Sequence, residues 1–160
     1  MCEKVSCHIK QLKVFGDFTK GRVYGIDREY FPKWAGWKLL ELQATSEEVE
    51  EAAIQFYYEF FYKPMHLDKL SDKFIVNLLL GFATLHGKRK ATAKLQQVLG
   101  LEQTGVPTAS MMEKTNLISK YVLPNLLLEI EEFYFYLGDP SGGRWAIDVY
   151  RKMKKESSRL

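Results

Sequence analysis

NLLLGFATLHGKRKATAKLQQVLGLEQTGVPT, residues 77–108, holds the end of one helix, the whole of a second and the turns that close them. Its first part belongs to a segment, residues 72–86, in which Phe74, Ile75, Val76, Leu78, Leu79, Leu80, Phe82, Ala83 and Leu85 leave almost no polar side. A helix apolar on all faces is a buried one, so this segment should run through the centre of the fold. Gly87 ends it. Residues 88–99 then place Ala91, Leu95, Val98 and Leu99 on one face, with Gly100 positioned as the C-terminal cap, and residues 103–107 read as a turn.

Working outward, Thr45-x-x-Glu48 is a capping box, and Val49, Ala52, Ala53, Phe56 and Phe60 follow at three- and four-residue spacing until Pro64. That pattern predicts a helix with Phe56 and Phe60 on its inner face. Thr108 is placed to cap a short helix through Asn116, and residues 118–137 form a longer helical segment in which Pro124 should force a break or a new start. Asp139-Pro140-Ser141-Gly142-Gly143 signals a loop, and a last helix with Trp145, Ala146, Val149 and Met153 inward should follow it. Residues 1–44, punctuated by Gly16, Gly21, Gly25, Pro32 and Gly36, predict a loop-rich region with short helices at most. The expectation is a mainly α protein, one domain over residues 1–160, with residues 1–13 as a mobile N-terminus.

At 160 residues, 46% hydrophobic and 14% aromatic, the chain can bury a core without a disulfide or metal staple. Cys2 and Cys7, with only His8 nearby, do not have zinc spacing and read as free thiols. His66 and His86 lack a carboxylate or Cys at ligand spacing, so each reads as structural; neither a metal nor another cofactor is expected. The net charge is +3, and its basic clusters, Lys88-Arg89-Lys90 and the C-terminal Arg151, Lys152, Lys154, Lys155 and Arg159, come without a nucleic-acid motif. A nucleic-acid partner is therefore not expected. No segment reaches the roughly eighteen apolar residues of a membrane span, and MCEKVSCHIK lacks the apolar core of a signal peptide. Synthesis in the cytoplasm follows, with any action in periplasm or cell wall depending on an export route supplied by another component.

Several short motifs occur in a telling order. Tyr24-Gly25-Ile26 is followed by the aromatic pair Phe61-Tyr62, then by Asn77-Leu78-Leu79-Leu80-Gly81-Phe82 with His86-Gly87. Leu95-Gln96 with Leu99-Gly100, Gly105-Val106-Pro107-Thr108 and Gly143-Arg144-Trp145 complete the series. Together, over residues 14–153, they resemble the glycoside hydrolase family 108 muramidases, the bacterial phage-lysin and secretion-activator group with a lysozyme-like helical fold. The resemblance implies a lysozyme-like scaffold with a loop-rich N-terminal segment, acting on the glycan strand of peptidoglycan.

The departures from that family fall on its polar positions. Phe15, in Val14-Phe15-Gly16-Asp17-Phe18, stands where the family keeps its catalytic glutamate, Gly81 where it keeps a buried aspartate, and Gln103-Thr104 where it has Asp-Gly. Glycoside hydrolysis needs a carboxylic acid beside the leaving oxygen, its pKa raised by burial. Asp17 and Glu3 are the candidates to replace it; Asp27 and Glu29 border the same segment but suit a solvated helical turn. Rings that could stack on sugar faces are Tyr24, Tyr57, Tyr58 and Tyr62, with Trp34, Trp37 and the run Phe133-Tyr134-Phe135-Tyr136 open to a packing or a binding reading. The expected function is a degenerate muramidase-family domain, a pseudoenzyme that binds peptidoglycan glycan or a protein partner. The alternative is an active N-acetylmuramidase using Asp17 or Glu3.

Overall fold

A computed structural model describes residues 5–6, 18–19, 21–138, 148, 151–152 and 154–155. It is mainly helical and divides into two compact units, Met1–Pro64 and Met65–Leu160. Of the expected last helix only residues 148, 151–152 and 154–155 are described, and they are helical; the Asp139–Gly143 loop lies outside the described residues, as do Cys2, Cys7, His8 and most of residues 1–13.

The first unit begins with three antiparallel two-residue strands, β1 (Phe18–Thr19), β2 (Arg22–Val23) and β3 (Ile26–Asp27), in the order β1-β2-β3. Val23 pairs with Ile26, so Tyr24-Gly25 is a two-residue hairpin loop. Both residues have positive φ, 51° and 74°, the type I′ geometry that matches the twist of the strands. Glycine adopts it freely, whereas a tyrosine needs a reason to stay there. The reason lies in the next elements, helix α1 (Ala35–Glu41) and helix α2 (Ser46–Tyr57).

Helix α2 starts at the expected capping box: Glu48 N–H donates to Thr45 Oγ1 at 3.2 Å, and Thr45 N–H donates to Glu48 Oε2 at 3.0 Å. Its buried face, however, is Val49, Ala53, Ile54 and Tyr57, continued by Phe61 and Tyr62 in the π-helical turn Tyr58–Tyr62. Phe56 is only half-buried and Phe60 is 39% exposed, so the inner face is turned by one residue from the expected one. Tyr57 takes the central place because its hydroxyl is satisfied there: it donates to the Tyr24 carbonyl at 2.5 Å.

The second unit is built on helix α3 (Lys73–His86), whose residues Ile75 to Ala83 are all buried, as its apolar sequence predicts. Asp72 caps it, accepting from Phe74 N–H and Ile75 N–H. Gly87, at φ 98°, turns the chain directly into α4 (Lys88–Val98), and α3 packs on α4 and on α6 (Ser119–Tyr136). Between them α5 (Ala109–Leu117) starts at Thr108, whose Oγ1 accepts from Met111 N–H. Gly100 takes φ 70° just after α4, as a C-terminal cap should. Pro124 neither breaks nor restarts α6: the helix is continuous through it. Pro124 is exposed, so the Lys120 carbonyl that its missing N–H would have bonded can be reached by water.

Two side-chain amides fix the connections of this unit. Gln96, buried in α4, donates through Nε2 to Thr104 Oγ1 and to the Val106 carbonyl, both at 3.0 Å, and accepts from Gly105 N–H at 2.9 Å. Asn116 of α5 donates to the Lys69 carbonyl at 2.8 Å and accepts from Ser71 N–H at 3.0 Å. These bonds hold the irregular turn after α4 and the entry to α3, just past the 3-10 turn Leu67–Lys69.

Candidate functional site

The polar chemistry of the first unit is largely committed to its architecture. Asp27 pairs with Arg22 at 3.3 Å through one oxygen, while the other accepts Glu29 N–H at 2.9 Å, closing the turn after β3. Glu29 is exposed there, as a solvated turn residue should be. Arg28 bridges to Glu41 at 3.0 Å and lies over the Trp37 ring, 5.4 Å from its centroid. Asp17 and Glu3, the acid candidates, lie outside the described residues, as does Phe15.

The four tyrosines expected to meet sugar divide unequally. Tyr24, Tyr57 and Tyr62 are buried, with relative exposures of 2%, 0% and 4%, so none has an open ring face. As binding residues they are replaced by a packing role, because each hydroxyl-bearing ring has a place inside. Burial, together with the charge and hydrogen bond of Glu50, raises the Tyr24 pKa above the usual phenol value. Tyr57 and Tyr24 thus tie the hairpin loop to α2, which explains the left-handed tyrosine. Tyr58 is half-buried, stacked on Tyr62 at 5.6 Å, with Lys63 Nζ 5.7 Å from its ring centre.

The tryptophans are also structural. Trp34 and Trp37 pack edge to face at 5.0 Å, and their indole N–H groups donate to the carbonyls of Ala52 and Phe31. Gly36 permits this pairing: a Cβ there would meet the Trp34 ring at 2.2 Å. The Trp37 bond to the Phe31 carbonyl fixes the backbone from which the Phe31 ring projects.

Surface aromatic area is found one step along the same helix. Phe31, Phe56 and Phe60 form a triangle with ring centroids 4.9, 5.1 and 5.4 Å apart; Phe56 and Phe60 are nearly parallel, and Phe31 stands edge-on to both. Phe60 is 39% exposed, the rings of Phe31 and Phe56 are half-buried, and Tyr30, next in the chain to Phe31, is 74% exposed. A rigid, apolar, partly open set of rings can receive the C–H face of a pyranose and hold it by dispersion and desolvation. The one-residue turn of the inner face of α2 brings Phe60 to the surface, and periodicity alone could not signal it.

In the second unit, His86 is held by rings rather than by ligands. Its Nε2 is 2.7 Å from the Tyr134 hydroxyl, and Phe82 and Phe133 flank it with centroids 4.8 Å away. Burial, and secondarily the Lys90 charge, lower its pKa below the usual imidazole value. His66 sits in a left-handed conformation with its buried Nδ1 lacking a hydrogen-bond partner. Among the described residues no three His, Cys, Asp or Glu side chains assemble as a metal site, and no helix is long and apolar enough to cross a membrane. Searches of family models, curated proteins and solved structures find no match to the chain.

Proposed function

We propose that the chain is a non-catalytic, muramidase-like domain that binds the glycan strand of peptidoglycan through the aromatic triangle of its first unit. The observation that carries the reading is the open Phe31–Phe56–Phe60 set beside exposed Tyr30. Alternating N-acetylated sugars offer apolar ring faces and acetamido methyl groups, which suit such a surface better than they suit charged or hydroxyl-rich ones. The order of motifs from Tyr24-Gly25 to Gly143-Arg144-Trp145 supplies the muramidase likeness. Phe15 and Gly81, at the places of the family's acids, argue for binding without cleavage.

The test is sedimentation with purified murein, paired with turbidity clearing. Wild type should co-sediment without clearing the suspension. Phe60→Ala should weaken binding about five- to tenfold, the ~1 kcal/mol or more that one aromatic contact contributes. Phe60 is part-exposed, so circular dichroism should be unchanged. Clearing that is lost in Asp17→Asn or Glu3→Gln would overturn the non-catalytic reading. Absence of sedimentation would overturn the glycan.

A further inference from the structure

The outer face of α6 is unusual for a surface helix. Tyr121, Pro124, Leu128 and Phe135 recur at steps of three, four and seven residues and form one apolar stripe about 20 Å long, with Glu131 on its flank. It lies opposite the buried row Val122, Leu126, Ile130 and Tyr134. Tyr121 is 57%, Leu128 50% and Phe135 70% exposed, and Leu117, just before the helix, is 85% exposed. A monomer seldom leaves so continuous an apolar face in water.

We infer that two copies of this chain associate through this stripe, with their α6 helices antiparallel about a two-fold axis. With Ile118 beside it, 37% exposed, the stripe is a continuous exposed apolar surface of the kind that an interface between copies covers. Charge fixes the direction. Lys120 and Glu131, both exposed, are eleven residues apart and so differ by only about 20° around the helix, which puts them on the same flank of the stripe. A two-fold axis perpendicular to the helices brings equal flanks together. With the axis level with Leu126, Lys120 of each copy comes within about one residue's rise of Glu131 of the other, twice per dimer. Pro124 then packs beside the other copy's Leu128. A parallel pairing would put the two copies' Lys120–Glu131 flanks on opposite sides of the interface and leave both charge pairs unmade.

The test is the mass in solution of the full chain, by sedimentation equilibrium from micromolar to submillimolar concentration. Wild type should approach twice the chain mass, and Leu128→Glu/Phe135→Glu should remain at the single-chain mass with unchanged circular dichroism and melting. Lys120→Glu and Glu131→Lys should each weaken the dimer about tenfold, because each creates two like-charge contacts, and the double exchange should restore it to within a few-fold. A wild type that stays monomeric throughout, or a Leu128→Glu/Phe135→Glu variant that still dimerises, overturns the inference. So does a double exchange no better than its singles. A monomer destabilised by Leu128→Glu would also overturn it, assigning the stripe to packing within the chain.

Discussion

Replacing Gln96 by alanine should loosen the turn after α4. The side chain is 4% exposed and makes three hydrogen bonds to the turn, two donated and one accepted, to Thr104, Val106 and Gly105, besides a weak 3.9 Å contact from Nε2 to Met111 Sδ. Each net bond is worth about 1 kcal/mol, and a partner left unpaired in the interior costs more. Here Gly105 is half-buried and Val106 exposed, so water can recover part of the loss. The expected destabilisation is about 2–3 kcal/mol. Urea unfolding followed by far-UV circular dichroism should show a lower midpoint with little change in slope, and the Gly105 amide should lose its protection against hydrogen exchange. Gln97→Ala, at the exposed neighbouring position, is the control and should stay within about 0.5 kcal/mol of wild type. If Gln96→Ala is no worse than Gln97→Ala, the amide is not what holds the turn. Gln96→Glu separates the parts: it keeps an acceptor for Gly105 N–H, removes both donated bonds and buries a carboxylate, so it should be at least as damaging as alanine.

Two further outcomes follow from the same kind of accounting. Tyr57→Phe removes one buried hydroxyl and leaves the Tyr24 carbonyl without that donor, so the first unit should lose about 1–2 kcal/mol; an unchanged urea midpoint would show that the bond does not hold the hairpin loop on α2. His86 has a lowered pKa, so the unfolded chain binds its proton more readily than the folded one, and the stability its neutral form contributes is complete above the unfolded value of about 6.5. That contribution should be lost as pH falls through 6.5 towards the lower folded value, and the urea midpoint should drop less steeply over this window in His86→Gln; equal slopes would place the acid sensitivity elsewhere.

What the sequence discloses and what it conceals differ by the range of the interactions involved. The capping box at Thr45, the caps at Thr108 and Gly100, and the buried run of α3 rest on residues within four positions of each other, and all are present. The inner face of α2 was misread because a phenylalanine outranks a tyrosine on any apolar scale. Tyr57 is central only because a carbonyl 33 residues earlier accepts its proton. Pro124 was misread because its cost depends on whether the carbonyl one turn back faces water, which is a fact of packing. The candidate site shows the same limit: the sequence offers the tyrosines as stacking rings, yet Tyr24 and Tyr57 are buried with their hydroxyls bonded inside, and it is Phe60 that reaches the surface.

This distribution of polar groups bears directly on the choice between cutting and binding. A glycosidase must hold a carboxyl group near a cleft with its oxygens unspent on structure, because the same proton has to pass to the substrate. In the first unit Asp27 is divided between Arg22 and a turn amide, Glu48 closes the capping box, Glu41 pairs with Arg28, and Glu59 accepts from Gln55. Glu50 of α2 is engaged by the Tyr24 phenol. Reassigning any of these to proton transfer would release a cap, an ion pair, a side-chain hydrogen bond or the tie between the hairpin and α2. The open phenylalanine triangle makes no such demand, since its rings contribute to the core on one face and present the other. A surface whose rings stabilise the fold with the same side chains they would offer a sugar face is compatible with the proposed non-catalytic reading. Phe60→Ala therefore separates the two functions of that surface, with ring loss read in binding and circular dichroism reporting the fold.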